Sequence, residues 1–229
     1  MKRVLFTLFL SLITMNFVLA ETDLTEKNEI QTRIDNIGTR ILNANKIDKR
    51  VVFTYDESEK KGVLKNVESI TKRQVIVYKN DYQYTANDDE LAGYIAREIA
   101  AAARSFKGGT GFLSSVKIKA APKKYELVFD KLAVDYMVTA GYNPIGLITF
   151  INKTVPQARQ DRFSNKNLAS KRLAYIYERI YTQYPTFLAK NVYITNDAYQ
   201  NFLLTSQENR KLLQEKIQSG NLKQELKYE

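Results

Sequence analysis

Two short segments hold the charged side chains whose order could do chemistry. Residues 89–101 read DELAGYIAREIAA, and residues 126–130 read ELVFD. Together they offer a guanidinium at Arg97 and carboxylates at Glu98, Glu126 and Asp130. Carboxylates act as proton acceptors or as oxygen ligands for metal ions, and arginine binds carboxylates through its planar fork. The turn-like sequence AGYNP follows at residues 140–144.

The absent residue types exclude several kinds of site. The chain contains no histidine and no cysteine. Histidine is the commonest metal ligand and the commonest general base at neutral pH, while cysteine supplies thiolate ligands, nucleophiles and disulfides. The composition therefore excludes Ser-His-Asp and Cys-His catalysis and any conventional zinc site. Stability must come from packing alone.

Apolar periodicity places both charged segments on helices. One helix is predicted from residue 88 to about residue 105, and Asn87 followed by Glu90 resembles a capping box at its start. The core stripe of this helix consists of Leu91, Ile95, Ile99 and Ala102. A second helix is predicted at residues 123–140, with Gly141 as its natural C-terminal cap.

The remaining elements predict an α+β domain that is mainly α. A first helix is expected at residues 25–45, followed by a small sheet of about three strands at 51–55, 63–70 and 74–78. Further helices are expected at 144–153, 168–184, 197–204 and 207–219. The pattern predicts a single domain over residues 21–229, with a helical C-terminal part from about residue 168.

The N-terminal residues have the layout of a secretory signal peptide. Lys2 and Arg3 precede an apolar run at residues 4–19, and Ala20 stands before Glu21. This layout predicts cleavage after residue 20 and an exported protein, periplasmic or extracellular. An uncleaved anchor is the alternative, because the run is nearly long enough to cross a bilayer. No later stretch predicts a transmembrane segment.

The net charge of +10 comes from basic residues spread along the whole chain. For an exported protein the anionic partners would be envelope polymers, lipid headgroups or acidic proteins. Nucleic acid, which a basic cytoplasmic protein would suggest, is not expected. The alternative is that the charge serves only solubility.

In combination, DELAGYIAREIAA, ELVFD and AGYNP resemble the HExxH…ExxxD zinc metallopeptidases. That family includes the CAAX prenyl endopeptidases, the HtpX-type membrane proteases and the BepA-type periplasmic proteases. Its members carry ELAxxxxHExxH on one helix and ExxAD on a later helix, and an AGYxP turn often follows. The resemblance covers roughly residues 28–180. It implies a zincin-like metallopeptidase domain with a small sheet and an active-site-type helix pair.

The resemblance assigns a role to each charged position. It places the two histidine ligands at Arg97 and Ala101. The general base is kept as Glu98 and the carboxylate ligand as Glu126, while Asp130 closes the second motif as a structural residue. The acidic half of the family site is therefore present, and both imidazoles are missing.

The chain departs from the family pattern at two further places. Phe129 stands where the family usually has alanine. Many members also have a later His-Pro followed by an arginine, which corresponds here to Lys166-Asn167 with Arg172 kept. A member that has lost every histidine is expected to be degenerate.

These losses predict a site without metal. Family members use zinc, held by ligands one helical turn apart and by the later carboxylate, with water in the fourth position. Arg97 has no lone pair to offer and Ala101 has no donor, so no cofactor is expected. The Arg97 guanidinium is predicted to take the ion's place and to pair with Glu126, and also with Glu98. The alternative is that Arg97 reaches solvent beside Glu98 over a collapsed cleft.

The functional prediction is an exported metallopeptidase-like protein that is non-catalytic. It would bind polypeptide or regulate an envelope protease in protein quality control, with residues 74–78 as the edge strand that receives an extended chain. One alternative is an active metalloendopeptidase that hydrolyses peptide bonds with a non-standard metal site. The other is a basic module for anionic envelope components, which would bind through Lys211, Lys216, Lys223 and Lys227.

Overall fold

A computed structural model describes residues 24–58, 73–105, 122–154, 166–221 and 224–228. The predicted signal peptide, the strand candidate at 63–70 and Lys223 lie outside these described residues.

The described residues form nine helices and two strands, so the α+β, mainly α fold class is confirmed. Predicted and observed bounds of the longer elements agree within two residues, and the two shortest helices are absent from the sequence prediction. The helices are α1 (24–44), α2 (Lys79–Tyr82), α3 (Asp88–Ser105), α4 (Pro122–Thr139), α5 (Ile145–Thr154), α6 (Lys166–Gln183), α7 (Pro185–Ala189), α8 (Asp197–Thr205) and α9 (Gln207–Gln218). The strands are β1 (Val52–Asp56) and β2 (Gln74–Tyr78).

The two strands are parallel, with Val52 opposite Gln74 and Asp56 opposite Tyr78. Helix α1 covers the other edge of β1, because the Gln31 side chain accepts from Tyr55 N at 2.7 Å and donates to the Phe53 carbonyl at 3.2 Å. These contacts satisfy backbone groups that an exposed strand edge would leave open.

Helix α3 is the central element of the fold. Residues 90–102 are buried throughout, and the helix packs against α4, α5 and β2. Its approach to α5 is close at Gly93, where a Cβ would lie 3.0 Å from Leu147 Cα. A helix buried on all sides carries its charged residues into the interior. This position brings Arg97 and Glu98 into the core.

Helix α4 ends in the way the sequence predicts. Gly141 has a φ of +80°, the Tyr142 N–H donates to the Met137 carbonyl at 2.9 Å, and the Gly141 N–H donates to the Val138 carbonyl at 3.0 Å. This pair of bonds is a Schellman motif, which needs the left-handed backbone that glycine adopts most easily. The turn then directs the chain into α5.

None of the helices in the described part of the chain combines the length and the apolar character that crossing a lipid bilayer requires.

Candidate functional site

The start of α3 is held by the predicted capping pair. The Glu90 N–H donates to Asn87 Oδ1 at 3.0 Å, and the Glu90 carboxylate accepts from Ala86 N at 2.6 Å. Lys153 on α5 binds the same carboxylate, with Nζ at 2.7 Å from both oxygens. These bonds set the axial position of α3 and therefore the position of Arg97, about two turns after Glu90.

A second set of bonds ties the first turn of α3 to more distant parts of the chain. Asp89 accepts from the Asn143 N–H at 2.9 Å and from the Tyr193 hydroxyl at 2.9 Å. The Tyr193 hydroxyl is also 3.1 Å from Asn87 Oδ1. Burial, followed by the charge of Asp89, raises the pKa of Tyr193 well above its usual value, so this hydroxyl stays a hydrogen-bond donor.

Three carboxylates converge on the Arg97 guanidinium, and Arg97 is only 7% exposed. Nε donates to Asp130 Oδ1 at 3.0 Å and Nη1 donates to Glu98 Oε1 at 3.2 Å, while Nη2 contacts Glu126 Oε2. The predicted contacts of Arg97 with Glu126 and Glu98 are both present. The alternative, in which Arg97 reaches solvent, is wrong.

A second arginine completes the cluster from α6. Arg172 binds Asp130 with two parallel hydrogen bonds, Nε to Oδ2 at 2.7 Å and Nη2 to Oδ1 at 2.9 Å. Its Nη1 is 3.8 Å from Glu126 Oε2. Asp130, which is fully buried, therefore lies between two guanidinium groups that come from different helices. We call Arg97, Glu98, Glu126, Asp130 and Arg172 the ion cluster.

The electrostatics of the ion cluster favour its charged form. Burial alone would raise the pKa of Asp130, but Arg172 and then Arg97 outweigh it, so the pKa lies below the usual aspartate value. Burial and the nearby Arg172 lower the pKa of Arg97, against the opposing effect of Asp130 and Glu98. For Arg172 the loss through burial is exceeded by Asp130, and its pKa is raised. Both arginines remain cations.

Ala101, the other position that the resemblance assigns to histidine, has a different environment. It is fully buried and packs with Ala100 and Phe129, and Tyr125 lies against the same group. The rings of Tyr125 and Phe129 are 6.2 Å apart. The bulky Phe129 thus packs beside the small side chain at 101, and the second ligand position is a buried apolar contact.

The residues of this site do not fit zinc. The position next to Glu126 is taken by a guanidinium, and apolar side chains surround Ala101. In the described part of the chain, no group of three or more acidic side chains is arranged to hold a metal ion. A zinc site of this class needs neutral imidazoles or other lone-pair donors and an open position for water.

Sequence reasoning missed the central role of Asp130. The sequence predicted that Arg97 pairs with Glu126 and Glu98. In the structure Arg97 also binds Asp130, which is fully buried and which Arg172 binds as well. One signal was available. Glu126 and Asp130 are four residues apart on a helix, so both carboxylates lie on one face. The identity of Arg172 as the second partner depends on how α6 packs and has no local signal.

The predicted edge strand is bonded to the site helix. Val52 N donates to the Arg73 carbonyl at 3.0 Å, and the alternation of a parallel ladder then directs the Ile76 carbonyl away from β1. The Tyr94 hydroxyl donates to this carbonyl at 2.9 Å. Burial, with a contribution from Glu98, raises the pKa of Tyr94 well above its usual value. A strand added to β2 would compete with Tyr94 at this point.

The proposed basic surface loses one of its four members. Lys216 is 8% exposed and donates to Glu178 at 2.8 Å. Lys211 and Lys227 are exposed, and Lys223 lies outside the described residues. A paired and buried lysine contributes little to binding an external anion, so the pattern read from the sequence overstates this surface.

Comparisons with known proteins identify no relative. No protein-family model matches the chain, no curated protein matches it, and no solved structure matches it. The metallopeptidase resemblance therefore rests on its sequence motifs alone.

Proposed function

We propose that this chain is an exported, zincin-like protein without catalytic activity, which acts by binding polypeptide or by regulating an envelope protease. One observation supports it above all. The Arg97 guanidinium contacts Glu98 and Glu126, which stand at the general-base and carboxylate-ligand positions of the family pattern, and it also binds Asp130. The positive charge that a bound metal ion would supply at these carboxylates thus comes from a side chain of the protein itself.

Hydrolysis by this class requires an activated water beside a carboxylate that can accept a proton. Glu98 is 1% exposed and its carboxylate binds Arg97, so it is withdrawn from bulk water and already paired with a cation. A guanidinium stabilises negative charge but has no lone pair with which to bind or deprotonate water. Glu98 in this setting is a structural partner of Arg97.

The arrangement explains how a metallopeptidase-type helix pair can persist without its ion. The ion joins the two helices through charge, and Arg97 joins the same two helices through Glu126 and Asp130. Arginine is suited to this because its planar fork binds carboxylates in fixed geometry and stays charged when buried. The proposal is that the helix pair is kept for binding.

Metal content and peptidase activity test the non-catalytic part. The protein would be expressed with its N-terminal segment, purified without a polyhistidine tag, and analysed for bound zinc and for hydrolysis of casein. We expect well below one zinc atom per chain. We also expect that any trace of casein hydrolysis is the same for the wild type and for Glu98→Gln. One zinc per chain, or hydrolysis abolished by Glu98→Gln, would show a working metalloendopeptidase and refute the proposal.

Export is tested by mass spectrometry of the protein from separated cell fractions. We expect a soluble envelope species that begins at Glu21. Recovery of the intact N terminus in the membrane fraction would instead identify an anchored protein.

A further inference from the structure

Residues 224–228 lie against the helical body in an irregular, non-helical conformation. Gln224, Glu225 and Lys227 are exposed, while Leu226 and Tyr228 are buried. Alternation of exposed and buried side chains is typical of an extended chain that rests on a surface with one face. The segment is bound in the manner of a peptide ligand.

The surface that receives this segment lies between α6 and α9. Ala174 and Tyr175 come from α6, and Leu213 and Ile217 come from α9. The Tyr175 hydroxyl donates to the Leu226 carbonyl at 2.8 Å. The Tyr175 ring also meets the Tyr228 ring edge to face, with centroids 4.8 Å apart and an interplanar angle of 79°. Side-chain pockets combined with a bond to the ligand backbone are how proteins hold extended peptides.

We call the surface formed by Ala174, Tyr175, Leu213 and Ile217 the tail groove. We infer that it is a binding site for extended polypeptide segments that have an aliphatic residue and, two positions after it, an aromatic residue. Residues 224–228 occupy it in cis. The inference rests on the proposed function and deepens it by naming the surface and the side-chain chemistry of the polypeptide bound.

The rim of the tail groove has the composition of a recognition surface. Lys131 Nζ lies 4.8 Å from the centroid of the Tyr175 ring, and the mostly buried Lys216–Glu178 ion pair joins α9 to α6. Charged groups around an apolar centre allow polar flanking residues of a ligand to stay hydrated or paired. Glu225 and Lys227 are such flanking residues in the segment that fills the groove.

A short segment held in this way can be displaced. Among the described residues 224–228, the buried side chains of Leu226 and Tyr228 anchor the segment, and the entropy lost in ordering these five residues offsets much of the free energy that this burial contributes. A competing polypeptide at sufficient concentration therefore shifts the occupancy by mass action. The edge of β2 is a weaker candidate for the same ligand, because Tyr94 already binds the Ile76 carbonyl there.

Emptying the groove tests the inference. The variant Leu226→Ser with Tyr228→Ser removes both anchors, and Glu225→Ser with Lys227→Ser changes two exposed residues of the same segment as the matched control. The probes are a fluorescent peptide with the sequence of residues 219–228 and unfolded, reduced and carboxymethylated lactalbumin. Fluorescence anisotropy should show at least about tenfold tighter binding of both probes to the emptied variant than to the wild type or the control.

A groove-wall variant separates this site from other binding. Ile217→Lys in the emptied background places a charge in the groove and should abolish the gain, with circular dichroism confirming that each variant is folded. If unfolded lactalbumin binds the wild type and the emptied variant equally well, the protein does bind polypeptide, but the tail groove is refuted as the binding site. If the peptide of residues 219–228 binds the emptied variant but unfolded lactalbumin binds no variant, the groove accepts only the chain's own segment. That result overturns both the inference and the polypeptide-binding part of the proposed function.

Discussion

Helices α4 and α6 are joined by two aspartate–arginine pairs that have the same geometry and different depth. Arg172 binds Asp130 through Nε and Nη2 at 2.7 and 2.9 Å, and Arg179 binds Asp135 through Nε and Nη2 at 2.9 and 2.8 Å. In the outer pair the side chains of Arg179 and Asp135 are 35% and 26% exposed, whereas Asp130 of the inner pair is fully buried.

The two pairs also differ in their third partner. The Tyr184 hydroxyl donates to Asp135 at 2.9 Å, while a second cation, Arg97, donates to Asp130 at 3.0 Å. Hydrogen-bond distances therefore do not distinguish the pairs. Burial does, because removing one partner of a buried pair leaves a desolvated charge, whereas water solvates what remains of an exposed pair.

Among the substitutions considered, removal of Arg97 should lower the free energy of unfolding most, and it tests the contrast between the buried and the exposed pair most directly. Arg97→Ala leaves Asp130, Glu98 and Glu126 with less positive charge nearby, and we expect a loss of ~3–5 kcal/mol in the free energy of unfolding. Urea denaturation measures it. The matched control, Arg179→Ala at the outer pair, should lose under about 1 kcal/mol. A loss below about 1 kcal/mol for Arg97→Ala would mean that the inner cluster is effectively solvated and that depth does not matter here.

The acid stability of the protein should depend on Asp130. The pKa of this carboxyl is below its usual value in the folded state, so its stabilising contribution is complete above the unfolded pKa of about 3.9 and disappears as the pH falls through the folded pKa. The advantage of wild type over Asp130→Asn in urea melts should therefore be constant near neutral pH and shrink in acid below about pH 4.

Salt provides the control for this prediction. Exposed charges are screened at high ionic strength, whereas a buried pair is screened much less. The acid-dependent difference between wild type and Asp130→Asn should persist at high salt. A difference that stays constant down to acid pH would contradict a lowered pKa at Asp130.

Ala101→His tests the apolar half of the site. The imidazole would have to fit where Ala101 packs against Phe129, and overpacking of this kind costs ~1–3 kcal/mol. Gln214→His, on an exposed position of α9, is the control and should be nearly neutral. If Ala101→His matches the control in stability and binds zinc, the packing at this position is loose and the site is closer to a metal centre than we propose.

Tyr94→Phe should give the smallest effect. It removes the hydroxyl that donates to Ile76 and keeps the ring, which meets Phe150 at 5.5 Å. One buried hydrogen bond contributes about 1 kcal/mol. Tyr181→Phe, at a partly exposed tyrosine on α6, is the control in the same thermal melt. Equal melting temperatures for the two variants would mean that the bond between α3 and β2 contributes nothing measurable.

Much of the secondary structure could be predicted because its signals are local. Asn87 and Glu90 are three residues apart and form the capping interaction that starts α3, and Gly141 adopts the left-handed backbone that ends α4. Such signals act over one helical turn and do not depend on the rest of the fold. The short helix α7 was missed because five residues carry too little periodicity to be recognised.

The site could be predicted in part. The positions of Arg97 and Glu126 on two helices follow from the motifs, and their contact follows from the attraction of a guanidinium for a carboxylate. The sharing of Asp130 between Arg97 and Arg172 could not be predicted, since it depends on the angle at which α6 crosses α4. The position of residues 224–228 has the same cause, because it requires α6 and α9 to lie side by side.

The sequence by itself determined the longer helices, the approximate positions of their ends and the exclusion of histidine and cysteine chemistry, because composition and contacts within one turn suffice for these. The tertiary structure alone decided that the strands are parallel, that Asp130 is the buried centre of the ion cluster, and that Leu226 and Tyr228 fill a groove. These features join residues far apart in the chain. Their free energies depend on burial, which is a property of the whole packed assembly and of no short segment.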